Sequence, residues 1–183
     1  SNTVYNHLVK ARSHWERVRD EISPELATLA KTLDDEQVVS LFAALEKDNK
    51  EEEEERKEAL EKTKEARFED RIERIEEAIS ERIGKLSHEQ KQIVSTYATQ
   101  FIPTGEEWLK YRRDIQNAAR KLFVTRSFNN NFETDLIELM QNPDSYKSDI
   151  YKQSSEHKMT VNATFKSEVN STLSRKQREA LFF

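Results

Sequence analysis

Very few residues of this sequence can interrupt a helix, since only two glycines and three prolines stand in 183 residues. Both residue types provide the tight turns that hairpins and sheets require. Charged residues make up 36% of the chain and hydrophobic residues only 35%, below the usual share of nearly half, so the core must be thin. The sequence therefore predicts an all-α fold, an elongated bundle of long antiparallel helices.

The segment that begins at Asp35 contains no helix breaker until Gly84. It predicts one helix over residues 35–83, about 49 residues and roughly 73 Å long at 1.5 Å per residue. Residues 46–59 carry almost no apolar side chains, so this middle part should project into solvent. Acidic residues four positions before basic ones would support it there. The alternative is a helix that bends or frays in its middle.

Three similar pentapeptides recur along the chain: LDDEQ at 33–37, LSHEQ at 86–90 and LSRKQ at 173–177. Each has the spacing of a capping box, in which a side chain accepts from the amide three residues on and the glutamine reaches back. Similar chemistry predicts helix starts at Thr104 and at Ser23, which precedes a proline. The predicted helix-capping residues are Ser23, Asp34, Gln37, Ser87, Gln90, Thr104, Glu107, Ser174 and Gln177.

The predicted helices form one elongated helical module over residues 1–183, with a possible subdivision near Gly84, which suits a left-handed C-cap. Trp15 lies on an apolar stripe of the first helix, while Trp108 and Phe165 lie on later stripes. These three aromatic residues are candidates for the core, and the alternative is that they form a binding surface.

The net charge of −5 is distributed unevenly. Residues 46–82 hold 16 acidic and 10 basic side chains, a net −6, so the remainder carries +1. We interpret the basic segment that follows as an internal partner of the acidic helix, or as a solvated surface, rather than a nucleic-acid site. It is also the possible basic interaction surface, consisting of Lys110, Arg112, Arg113, Arg120, Lys121 and Arg126.

The sequence contains no motif of known chemistry. It has no cysteine, its four histidines are scattered, and Gln92 stands where a zinc-protease motif starting at His88 needs its second histidine. The two glycines could hardly form a phosphate-binding loop. We therefore expect no enzyme activity, no metal, no cofactor and no small-molecule substrate.

Several segments together resemble a family of uncharacterised bacterial envelope lipoproteins of the proteobacterial type. They are residues 15–20, SPELATLAKTLDDEQVVSLFAALEKDN (23–49), IGKLSHEQKQIV (83–94), the segment 103–116 that begins with a proline and contains WLKYRR (108–113), and TLSRKQREAL (172–181). The resemblance implies an N-terminal signal and lipidated cysteine before residue 1. It also implies a location on the periplasmic side of the cell envelope, with the membrane reached only through that anchor.

The same pentapeptides show a weaker likeness to the Leu-Thr-x-x-Gln motifs of the small periplasmic chaperones of the Spy type. Two functions follow as expectations. The first is a non-enzymatic interaction or scaffold module that presents its helices to a protein partner. The alternative is a periplasmic chaperone or envelope-stress sensor.

Overall fold

The computed structural model describes residues 2–180, and it confirms the predicted all-α fold. No strand occurs within that range. The helices are α1 (Asn2–Lys31), α2 (Asp35–Glu61), α3 (Lys64–Ile83), α4 (His88–Thr99), α5 (Gly105–Thr125), α6 (Phe132–Gln141), α7 (Asp149–Ser171) and α8 (Arg175–Ala180), with a 3-10 turn at Pro143–Tyr146 between α6 and α7.

The chain forms two compact units, and each is assembled from separate stretches of sequence. The first unit takes residues 58–103 together with both ends of the described chain, 2–9 and 154–180. The second unit takes residues 10–57 and 104–153. Gly84, where the sequence suggested a possible subdivision, lies inside the first unit.

The predicted helix over residues 35–83 is wrong, because the chain forms two helices there. α2 ends at Glu61 and α3 starts at Lys64. Thr63 lies between them in an extended conformation, and its hydroxyl accepts a hydrogen bond from the amide of Ala66 at 3.1 Å. A threonine side chain can satisfy amides at the start of a new helix, so the chain can end one helix at Glu61 and begin the next after Thr63.

The helix start predicted at Ser23 is also wrong, since α1 continues through Pro24 to Lys31. Ser23 is buried within the helix and its hydroxyl donates to the carbonyl of Arg19 at 2.6 Å. Pro24 has no amide hydrogen, so the carbonyl of Asp20 four residues earlier loses its usual partner. The side-chain amide of Gln141 donates to that carbonyl at 3.3 Å, and this contact replaces the lost hydrogen bond.

The three pentapeptides form the capping boxes that their spacing predicts. Ser87 accepts from the amide of Gln90 at 3.2 Å, and the Gln90 side chain accepts from the amide of Ser87 at 2.9 Å. The same reciprocal bonds link Asp34 with Gln37 and Ser174 with Gln177. Each box satisfies amides that a helix start would otherwise leave unpaired.

The capping box predicted at Thr104 and Glu107 is not formed. Thr104 precedes α5 but makes no side-chain capping bond. The carboxylate of Glu107 accepts from the hydroxyl of Ser148 at 2.7 Å instead, and that hydroxyl also accepts from the amide of Tyr151 at 3.1 Å. Glu107 thus holds the serine that caps α7, which is a tertiary contact that the local spacing does not indicate.

The helix starts at Ser87 and Thr104 provide a matched pair for a stability test. Replacing Ser87 with alanine should lower the free energy of unfolding by about 1 kcal/mol, because the box at Ser87 is complete. Replacing Thr104 with alanine should change it by less than about 0.5 kcal/mol, because no capping bond is lost. Urea unfolding followed by circular dichroism measures both changes. Equal losses in the two variants would contradict the capping assignment.

Each unit has its own apolar core. The core of the second unit collects buried side chains from α1, α2, α5 and α6, and the first unit has a smaller buried cluster where α3 and α7 end. The α1 stripe is not part of a core along much of its length, since Trp15 is 74% exposed. The second core contains Ala27, Val38, Phe123, Phe132, Leu136 and Leu139, and the first cluster contains Ile83, Leu86 and Leu173.

Candidate functional site

The basic helix α5 pairs with the acidic helix α2 inside the second unit. Arg112 donates to Glu52 at 2.9 Å, and Arg113 contacts Glu46 at 2.8 Å and Glu53 at 2.9 Å. The hydrogen bond from Arg113 is the main reason that the pKa of Glu46 is lowered below its ordinary value. Internal pairing, which the sequence favoured for this helix, therefore accounts for the two arginines of the WLKYRR segment.

In the rest of the predicted basic surface, some residues form ion pairs and others do not. Arg126 binds the carboxylate of Asp35, and Lys110 pairs with Asp114 one turn along the same helix. Arg120 and Lys121 are exposed and form no ion pair within residues 2–180. α5 therefore presents a much smaller free cationic surface than its composition suggests, and its use by a partner stays a prediction.

An open apolar groove of about 690 Å³ lies within the first unit. This volume falls in the range of roughly 300 to 1,000 Å³ that is typical of ligand sites. α3 supplies one side and α7 the other, while Tyr97 on α4 and Phe101 just after it complete the lining. The remaining apolar lining residues are Ile75, Ala78, Ile79, Ile83, Phe165, Val169 and Leu173.

All the charged residues of the groove are cations. Arg74, Arg82 and Lys166 are exposed, and Arg71 is half-buried. Arg71 donates to the carbonyl of Ala98 at 3.2 Å, and its guanidinium lies 4.8 Å from the ring centre of Phe101. Of the described lining residues none is acidic. The groove thus combines an apolar interior with a cationic rim.

The charge pattern of α3 produces this arrangement. Residues 71, 74, 75, 78, 79, 82 and 83 recur at the three- and four-residue spacing of one helix face, and they all line the groove. Glu73, Glu77 and Glu81 occupy intervening positions of the same helix, and none of them is in the lining. The sequence contains this signal, but locating the groove requires the position of α7.

Two stacked aromatic rings form part of the groove wall. Tyr97 and Phe165 lie 4.1 Å apart between ring centres and are inclined by only 18°. Burial raises the pKa of the Tyr97 hydroxyl, and this hydroxyl donates a hydrogen bond to the side chain of Asn162. Phe165, a candidate for core or binding surface from its stripe, is therefore a half-buried groove residue.

One end of the groove is fixed by two of the pentapeptides. The side-chain amides of Gln90 and Gln177 donate to each other's oxygen, at 3.0 Å in both directions, and the two residues are only 1% and 8% exposed. Ile83 and Leu173, which line the groove, belong to the buried cluster beside this pair. The glutamines therefore cap two helices and also join them. The repeated motif indicated the first role and gave no sign of the second.

The described lining of the groove consists of apolar, cationic and amide side chains together with the Tyr97 phenol. Within the described lining no serine, histidine, aspartate or glutamate is present to accept a proton or act as a nucleophile. Over residues 2–180 no three side chains of the metal-binding types come together in a possible metal site. In that same range no helix combines the length and apolar character needed to cross a lipid bilayer.

The sequence matches the profile of one known protein family. The sequence profile of DUF6279, a family of unknown function, matches residues 5–152, which is more than half of the chain. The chain belongs to the DUF6279 family. No curated protein and no solved structure is significantly similar to this DUF6279 member. The function of this family is unknown, so membership assigns no activity to the chain.

The DUF6279 match covers the two sides of the groove unequally. Residues 5–152 include the whole of α3, with Arg71, Arg74 and Arg82, and the whole of α4. The part of α7 that faces them, with Phe165 and Lys166, follows the matched range. The α3 side of the groove therefore belongs to the matched region, and the α7 side lies beyond it.

Proposed function

We propose that this protein is a non-enzymatic helical binding module that holds a segment of a protein partner in the groove between α3 and α7. The observation that carries the proposal is the lining itself, which is mostly apolar, has four cations and lacks acidic side chains among the described residues. Apolar surface removed from water provides the main favourable free energy of protein association, while charges at a rim select the partner.

We place this module in the bacterial cell envelope, on the periplasmic side, tethered through a lipid anchor that precedes residue 1. The support is the resemblance of the Leu-x-x-x-Gln segments and of WLKYRR (108–113) to envelope lipoproteins. A cysteine-free sequence is compatible with that compartment. In this setting the anchor would keep the groove close to partners at the membrane surface.

Site-specific photocrosslinking in living cells tests the proposal. A photoreactive residue at Ala78, an exposed position in the groove, should give a discrete protein adduct in the full-length protein. The matched control is Glu77, the exposed neighbour on another face of α3, which should give none. The adduct should sediment with the membrane fraction. Equal adducts at both positions, or no protein adduct at Ala78, would refute binding in the groove, and an adduct in the cytosol would refute the location.

A chaperone is the second candidate function, and a separate observation favours it. Part of α1 exposes a stripe of large apolar side chains at helical spacing, and such surface could hold unfolding clients. Near-stoichiometric protein should then suppress the light scattering of a heated client, and Trp15→Ala should weaken the suppression. No suppression would eliminate this candidate. The stripe consists of Trp15, Val18, Ile22, Leu26 and Leu29.

A further inference from the structure

We infer that the occupant of the groove is an acidic amphipathic helix of the protein partner, bound along α3. This inference rests on the proposed function and names the chemical class of the bound segment. Three properties of the groove support it: the spread of its cations, the composition of its lining, and the segregation of charge on α3.

The cations are distributed along the groove. Arg71 and Arg82 are eleven residues apart on α3, which corresponds to about 16 Å or three helical turns. Arg74 lies between them and Lys166 stands on the α7 side. A lipid headgroup or a free phosphate would need its cations gathered at one point. A helix that carries carboxylates along its length would meet cations spaced in this way.

The lining suits a segment that satisfies its own backbone hydrogen bonds. Apart from the cations and the Tyr97 hydroxyl, Asn170 provides the only polar side chain of the described lining, and within residues 2–180 no strand edge is present to pair with an extended peptide. An α-helix pairs its amides and carbonyls internally and needs only an apolar face for the groove. Its leucine-type side chains would contact Ile75, Ile79 and Phe165.

Charge complementarity selects an acidic helix. The part of α3 that lines the groove contributes three arginines and no carboxylate, because none of the acidic residues of α3 is in the lining. A basic helix in the groove would bring like charges together, which is unfavourable where the interface excludes water. An acidic helix would form charge-assisted hydrogen bonds to Arg74 and Arg82, whose side chains are exposed along the rim.

Binding of designed peptides to the whole chain tests the inference. The probe is a fluorescent helical peptide of about four turns with leucines at i, i+3, i+4 and i+7 and glutamates beside them. One control replaces every glutamate with lysine, and the other scrambles the leucine stripe. Fluorescence anisotropy should show that the acidic probe binds about tenfold tighter than either control, and that high salt reduces the difference.

Two charge-reversal variants locate the binding. Replacing the three exposed rim cations (Arg74→Glu, Arg82→Glu and Lys166→Glu) should reverse the preference, so that the lysine peptide binds more tightly. The matched control makes the same charge change on exposed lysines of the first unit that do not line the groove (Lys64→Glu, Lys85→Glu and Lys176→Glu), and it should bind like the wild type. Circular dichroism of both variants checks that they are folded.

Several outcomes would overturn the inference. They are equal binding of the acidic and scrambled peptides, an unchanged preference in the rim variant, and a reversal in the control variant. Binding of anionic phospholipid vesicles through the same rim cations, without peptide binding, would assign the groove to lipid. A protein adduct at Ala78 together with no preference for the acidic peptide would remove this inference and leave the proposed function in place.

Discussion

Replacing Phe132 with alanine is expected to lower the free energy of unfolding of the second unit by about 3 to 5 kcal/mol, the usual cost of removing a buried phenylalanine ring. Phe132 is 0% exposed at the start of α6, and its ring meets that of Phe123 edge to face, with 5.3 Å between the ring centres. The alanine variant loses this contact and leaves a cavity between α5 and α6. Urea unfolding at constant pH measures the change.

Trp15 provides the control for this prediction. Its side chain is as large, but most of its surface is exposed, so alanine at this position should change the free energy of unfolding by no more than about 0.5 kcal/mol. A small effect of Phe132→Ala would contradict the core assignment. A large effect of Trp15→Ala would mean that the apolar stripe of α1 is covered in solution.

Replacing Gln90 with methionine is expected to destabilise the first unit by about 2 to 3 kcal/mol, because a buried polar group without a partner costs about 1 to 3 kcal/mol and a capping bond is lost as well. Methionine has a similar shape but cannot exchange hydrogen bonds with Gln177. The Gln177 amide would keep its bond to the carbonyl of Lys85 at 3.2 Å but would lose the one to Gln90.

A double-mutant cycle distinguishes the glutamine pair from two independent caps. Methionine at both Gln90 and Gln177 should cost about 1 kcal/mol less than the sum of the single replacements, because neither amide is then left without its partner. Gln37→Met is the matched control, since Gln37 completes a capping box but is exposed. It should cost only about 0.5 to 1 kcal/mol. Strictly additive losses would show that the two glutamines do not interact.

Local chemistry made the helical parts of this fold predictable. The scarcity of glycine and proline indicated an all-α chain, and the boxes at Ser87 and Ser174 depend only on residues within one helical turn. The predictions of helix starts and ends were wrong where a contact with a residue distant in sequence, or a weak local signal, determined the structure. Pro24 is accommodated because Gln141 reaches the released carbonyl, and Glu107 contacts Ser148 instead of its own helix start.

The candidate site was only partly predictable, for a similar reason. The pairing of the basic helix with the acidic one follows from the opposite charges of two long segments, and Arg112 and Arg113 show it. The groove depends on the placement of α3 opposite α7, two helices separated in sequence by the whole of α4, α5 and α6. An apolar stripe such as Ile75 and Ile79 looks the same in sequence whether it meets a core or an open groove.

The hydrogen bonds between Gln90 and Gln177 join neutral amides, which neither gain nor lose protons over the pH range in which proteins are handled. Acid and salt should leave these bonds largely intact. The second unit differs, because Arg113 pairs with the carboxylates of Glu46 and Glu53, and concentrated salt or protonation of Glu46 weakens such contacts. An acidic or saline environment should therefore loosen the α2 and α5 pairing first, while the end of the groove keeps its shape.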